Sequence, residues 1–190
     1  MKKINVKIKG LTPLLMHRVI PEELIRKSAM RVLEIKDLDK YAELHAYWKT
    51  DPKTSIALKG KKKELCIPSR CLYASMIKAA ASYRVKKRAL STILCGIIRI
   101  SPEEIGLGTA KYETDVRDVV IQRARVLAGR AKVSNWEAKF TLEYNDTVMP
   151  DGFSLLKPVV QDAGLLIGLM DYRPSKKGTF GTFKVIEWTE

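Results

Sequence analysis

Acid is in short supply in this chain. Its 190 residues carry 21 Asp plus Glu against 35 Lys plus Arg, a formal net charge of +14 with a pI near 9.7. A domain this basic meets a polyanion, with nucleic acid first and an anionic membrane surface second. Histidine and cysteine are scarce: only His17 and His45, and Cys66, Cys71 and Cys95. The cysteines are odd in number and form no C-x-x-C pair, so no standard zinc spacing exists; reduced thiols in or near the core are expected, with no metal or other cofactor. No stretch approaches the ~18–20 apolar residues that span a bilayer. The opening segment, Met1 to Lys9, lacks the apolar block of a signal peptide, and a cytoplasmic protein that does not engage membranes is expected. A Walker loop, internal repeats and low-complexity tracts are also missing.

The rest is an ordinary globular balance, with 46% hydrophobic and 29% charged residues. That is enough chain for one domain with a sizeable core. Ile4, Val6 and Ile8 alternate with Asn5, Lys7 and Lys9, a half-buried strand ended by Gly10. Residues 11–18 form a loop too apolar to be left in water. Pro21-Glu22-Glu23 opens a helix in the manner of a first turn. A second helix is expected over 38–49, with Tyr41, Leu44 and Trp48 on one face. Leu65–Ile67 reads as a short strand. Pro68-Ser69 then starts a helix to about Arg84, its stripe being Leu72, Met76, Ile77 and Ala80. Residues 89–100 are mostly apolar and undecided between helix and strand.

Two longer strands follow, about 116–123 and 136–144. In the second, Trp136, Ala138, Phe140, Leu142 and Tyr144 face one way. A helix from about 155 to 167 has Pro158 in its first turn and Leu165–Ile167 in the core, and a last strand covers 182–188. The order strand, helix, strand, strand, helix, strand is that of an α+β, ferredoxin-like or RNA-recognition-motif-like βαββαβ core. The whole chain, 1–190, reads as one domain. Its core lies in 1–10 and 64–190, with an insertion over 19–63 and a basic hairpin arm over 123–135. An antiparallel sheet packed on helices keeps one face free, and RNA-recognition modules use that face or its loops.

Function is carried by the basic loops. Residues 168–181 combine Gly168, Gly178 and Gly181 with Tyr172, Arg173, Lys176 and Lys177. Glycines admit close backbone approach to phosphate, and the cations neutralise it. Asp171 is expected to pair with Arg173 and hold the loop. The alternative is a helix-to-strand turn with solvated charges. The hairpin connector supplies Arg123, Arg125, Arg130 and Lys132 among small residues, suited to phosphate or base contacts. Arg18, the run Lys61, Lys62 and Lys63, and the run Lys86, Lys87 and Arg88 add to the same field, each also readable as a solvated face. Tyr172 is the better candidate for base stacking, ahead of Trp48 and Trp136. His17 is the one catalytic candidate, as a general base on a ribose 2′-hydroxyl, with a structural histidine as the alternative. Asp37, Asp39 and Asp51 match no metal motif.

Several of these segments have a familiar form. Ile8 to Met16, Ile67-Pro68-Ser69-Arg70 opening a helix, Gly164-x-x-x-Gly168, and Gly178-Thr179-Phe180-Gly181-Thr182-Phe183-Lys184-Val185 together resemble the RAMP superfamily of CRISPR-associated proteins. The nearest likeness is to the backbone subunits of multisubunit CRISPR effectors. The resemblance implies a modified RNA-recognition fold, polymerisation of copies along guide RNA, contact with other effector subunits, and a thumb at 123–135. The chain has no aspartate between Gly10 and Pro21, where some RNA-cleaving subunits keep one, and this weighs against target cleavage. Similar patterns suit small phage-borne proteins, which would bind single strands outside such a complex or act as a decoy of a backbone subunit. The expectation is thus a non-enzymatic, sequence-nonspecific binder of single-stranded RNA or DNA. A guide-processing endoribonuclease and a module docking an acidic protein partner are the alternatives.

Overall fold

Strand β1 (Lys2–Gly10) has the expected alternation, with Ile4, Val6 and Ile8 buried. The computed structural model describes residues 1–18, 38–52, 54, 56–60, 63–121, 124–148 and 153–190, with the backbone alone at 119–121, 124–126 and 153. The helix opening at Pro21 and the acid Asp37 lie outside them. After β1 come β2 (Leu14–Met16), α1 (Leu38–His45), β3 (Cys66–Pro68), α2 (Ser69–Ala80), β4 (Arg84–Val85), β5 (Arg88–Ala89) and α3 (Leu90–Ile97). The chain continues through β6 (Ile98–Ser101), β7 (Glu104–Gly106), β8 (Glu113–Ile121), β9 (Ala124–Val133), β10 (Glu137–Tyr144), α4 (Phe153–Asp162) and β11 (Phe183–Thr189). The architecture is α+β, with antiparallel sheets and, among the described residues, four helices. None of these helices is long and apolar enough to cross a membrane.

The main sheet has the order β11–β1–β10–β6, every neighbouring pair antiparallel. Its inner face sets Ile4, Val6, Ile8, Ala138, Phe140, Leu142 and Tyr144 into one core with Leu72 and Met76 of α2 and Leu156, Val159 and Val160 of α4. Two small residues let the layers meet. Gly164, in the π-helical turn 163–167 that continues α4, lies so close to β11 that a Cβ would strike the Phe183 carbonyl oxygen. Ser75 is buried in α2, and its hydroxyl lies 3.1 Å from the carbonyl oxygens of both Ala163, which also accepts from Gly168 N–H at 2.8 Å, and Gly168.

A second sheet, β2–β9–β8, stands apart from the first. The apolar loop expected after Gly10 is drawn into it, with Leu14, Leu15 and Met16 all buried against β9. One face of the hairpin is backed by α1: a Cβ on Gly129 would meet the Leu38 carbonyl, and Thr114 donates to Asp39 at 2.5 Å.

Several expectations need correction. The expected connector 123–132 is largely strand, because β8 and β9 pair residue for residue from Glu113↔Lys132 to Ile121↔Ala124. The hairpin arm therefore begins at 113, and β8 is no member of the main sheet. Its expected place there is taken by β6, from the apolar stretch 89–100, which is helix first and strand last. The helix expected to run to Arg84 stops at Ala80, and residues 84–89 fold into a two-strand turn with Lys86 and Lys87 at φ 46° and 71°. Leu165 and Leu166 are more than half exposed, because the π-helical turn rotates them off the core, and Pro158 lies inside α4. Trp48 is buried on the bridge Trp48↔Leu65 after α1 has ended, while Leu44 of α1 is exposed.

Gly164→Ala is expected to destabilise the fold by about 1–3 kcal/mol in urea titration, since the added methyl meets backbone. Gly96→Ala, inside α3 with open space around it, is expected to stabilise by about 0.5–1 kcal/mol.

Candidate nucleic-acid interface

The hairpin and the glycine-rich loop face each other. Because strand residues alternate, Asp115 and Arg117 of β8 project on the same side as Arg130 and Lys132 of β9. That side meets residues 168–181. A cleft of about 670 Å³ opens between them, lined by Arg117, Asp118, Arg130, Asp171, Tyr172, Arg173 and Lys176.

The loop is held from several directions. Asp171 N–H donates to Leu15 O at 3.0 Å, Leu169 N–H to Gly181 O at 2.9 Å, and Gly181 N–H to Pro13 O at 2.8 Å. Gly168 and Gly181 take φ of 74° and 70°, where glycine is free and other residues are strained. Met170, Tyr172 and Lys177 share that region with φ of 60°, 49° and 60°. Pro174–Lys176 form a single 3-10 turn.

Asp171 pairs across the cleft, not with Arg173 as expected. Arg130 Nη1 lies 2.9 Å from Asp171 Oδ2, and His17 Nδ1 lies 3.6 Å from the same oxygen. The neighbouring His17 and the charge of Arg130 hold the Asp171 carboxyl below its usual range, against partial burial. Arg173 turns inward, Nε donating to Ser175 Oγ at 3.1 Å and Nη1 to the Met170 carbonyl. Behind this pair, His45 is buried and its ring sits 4.9 Å from that of His17. Its Nδ1–H donates to the Arg18 carbonyl at 2.7 Å, and its Nε2 finds no hydrogen-bond partner among the described residues. Burial pushes the His45 pKa down, and the neighbouring His17 and Arg130 push it further.

Sequence reasoning missed four members of the site: Asp115, Arg117, Asp118 and His45. Arg117 is clamped by Asp115, with Nε–Oδ1 at 2.5 Å and Nη2–Oδ2 at 3.1 Å. Its guanidinium carbon stacks 4.8 Å from the Phe180 ring and 5.4 Å from the Tyr172 ring. The odd-numbered charges Glu113, Asp115 and Arg117 were the available signal, since they mark one face of a strand. His45 carried none, lying in a segment whose partner was not foreseeable.

The other expected contacts scatter. Lys63 is engaged within the chain, 2.6 Å from Glu43 and 4.1 Å above the Trp48 ring, and Lys132 is 2.9 Å from Glu113. Arg18 is exposed beside His45. Lys86, Lys87 and Arg88 stand together with Arg84 on the β4–β5 turn, away from the hairpin, all exposed and without an ion pair among the described residues. Lys61, Lys62 and Arg123, and the Arg125 side chain, lie outside the described residues. Trp136 is core, with its indole N–H donating to Thr12 O at 3.0 Å. No cluster of three or more metal-ligating side chains occurs among the described residues. Cys66 is buried, its thiol pushed up to about 12 by burial, whereas Cys95 is exposed, contrary to a core thiol.

The free face of the main sheet is different ground. Lys3 pairs with Glu143 at 3.1 Å, Lys7 with Glu137 at 2.9 Å and Glu187 at 3.5 Å, and Lys9 with Glu137 at 3.4 Å. The outward residues of β1 and β10 include no aromatic. No protein-family model matches the chain, and no curated protein matches it.

The shifts in His45 and Asp171 have the same sign. The unfolded chain protonates His45 near pH 6.5 and Asp171 near pH 3.8, and the folded chain does so at lower pH. Stability is therefore expected to fall as pH drops below about 6.5. His45→Gln is expected to flatten the first part of that decline in urea titrations between pH 7.5 and 5; a decline unchanged by the substitution would assign it elsewhere.

Proposed function

We propose that this chain binds single-stranded nucleic acid, RNA ahead of DNA, without enzymatic turnover, through the cleft between the hairpin and the glycine-rich loop. The observation that carries the reading is the convergence of Arg117, Arg130, Arg173 and Lys176 with an exposed tyrosine on a +14 chain. Cations beside an aromatic ring are the equipment of single-strand binding, charge for the backbone and stacking for the bases. The ion-paired, aromatic-free sheet face favours the cleft over the sheet as the binding ground. Lys177 and the unpaired turn of Arg84, Lys86, Lys87 and Arg88 extend the positive surface for phosphates.

The reading includes a ferredoxin-like core. In its support, β1, α2, β6, β10, α4 and β11 succeed one another as βαββαβ, with the last strand beside the first. It also includes the RAMP likeness: the tightly bonded loop Gly168–Gly181 suits that superfamily's glycine-rich signature, and β8–β9 suit a thumb. Copies arrayed along a strand in the cytoplasm, within a CRISPR effector or in a phage setting, complete the proposal.

Fluorescence anisotropy with labelled single-stranded RNA, single-stranded DNA and duplex of equal length, across a salt series, tests it. Binding is expected to favour single strands and to weaken with salt. Lys176→Ala together with Lys177→Ala is expected to reduce the log–log slope by about 1.4, at ~0.7 for each phosphate no longer neutralised. Weak binding to all three ligands would instead favour an acidic protein partner.

One observation favours a second reading. His17 Nδ1 faces the Asp171 carboxylate, which orients the ring and leaves Nε2 for a ribose hydroxyl, the arrangement of a general base in an endoribonuclease. That reading expects RNA cleavage by the wild-type protein that His17→Ala abolishes while binding persists; intact RNA after incubation with wild type refutes it.

A further inference from the structure

We infer that the cleft receives an unpaired nucleobase, stacked on Tyr172 beside Arg117, while the phosphates of the strand stay at its rim. This rests on the nucleic-acid reading above and gives the cleft a base-binding part in it.

Charge on the cleft floor disfavours phosphate there. Arg117 is committed to Asp115 through two hydrogen bonds of 2.5 and 3.1 Å. Arg130 is committed to Asp171 at 2.9 Å. Arg173 directs its donors at Ser175 and the Met170 carbonyl. Of the four cations lining the cleft, Lys176 alone has no side-chain partner among the described residues. A phosphate driven to the floor would meet the Asp171 carboxylate, which the cleft's own chemistry keeps ionised.

What the floor offers is π surface. Tyr172 is 41% exposed, and its ring stands 5.9 Å from Phe180 at 52°. A guanidinium whose plane is fixed by a bidentate carboxylate presents a flat, weakly hydrated surface, and bases stack on such planes as they do on aromatic rings. The backbone says the ring is placed for a reason. Tyr172 is held at φ 49°, a conformation in which an aromatic residue is an outlier. It is locked there: Phe180 N–H donates to Tyr172 O at 3.0 Å, and Gly178 packs so closely on that carbonyl that a Cβ would collide. Strain sustained by this much support is a mark of a functional position. Bases in single strands can be splayed out to reach such a platform; those inside a duplex cannot.

The test compares two labelled single strands of equal length and charge, one with ordinary bases and one with abasic sugars throughout. Wild-type protein is expected to bind the abasic strand about 5- to 150-fold more weakly, with the same salt slope. Tyr172→Ala is expected to bind both strands at the abasic level, and Tyr172→Phe, which keeps the ring, to match wild type. Equal wild-type affinity for the two strands overturns the base site while leaving phosphate binding in place. Failure of both strands to bind overturns the base site and the nucleic-acid reading together.

Discussion

Arg130 sits on the hairpin and Asp171 on the glycine-rich loop, and the 2.9 Å ion pair between them joins the two walls of the cleft. An arginine cannot shed its charge, and Arg130 is only 9% exposed. Its guanidinium needs a carboxylate, and the loop has to bring one. Breaking a buried pair by removing one partner costs about 3–5 kcal/mol, less here because solvent reaches one side of Asp171. The bonds of Asp171 N–H to Leu15 and of Gly181 N–H to Pro13 carry the constraint back to the segment following β1. The loop, the hairpin and the end of the first strand are thus one assembly.

That assembly explains why the two sheets carry different surfaces. The main sheet buries its inner face on α2 and α4 and pairs Lys3, Lys7 and Lys9 of its outer face with glutamates across the strands. The hairpin buries one face on α1 and turns the other toward the loop. Ser75 and Gly164 connect core to cleft, because both set the path of the π-helical turn from which Gly168 departs. Lys176, Lys177 and the cations of the β4–β5 turn are among those that have no ion pair among the described residues. This arrangement supports the proposal that bases stack inside the cleft and phosphates stay outside it.

Much of the main sheet was legible in the sequence. Ile4, Val6 and Ile8, and Ala138, Phe140, Leu142 and Tyr144, announce half-buried strands by strict alternation, and both lie where expected. The hairpin was not legible, since Ala124 to Lys132 reads as a small, basic connector when its pairing with β8 is unknown. Residues 89–100 are mostly apolar, so periodicity could not divide α3 from β6. Of the site, the loop and Tyr172 were visible through their glycines and charges, and Arg130 through its neighbours. Arg117 was marked only by the odd-numbered charges of its strand, because the two aromatic rings it meets come from the loop and only the fold brings them to it.

The most direct measurement is photo-crosslinking of single-stranded RNA to the full chain, with the linked residues mapped by mass spectrometry. Crosslinks are expected to concentrate on Tyr172 and its neighbours in the glycine-rich loop and on the facing side of the hairpin. Crosslinks confined to the outer face of the main sheet, at residues such as Lys7, Lys139 and Lys184, would contradict that expectation.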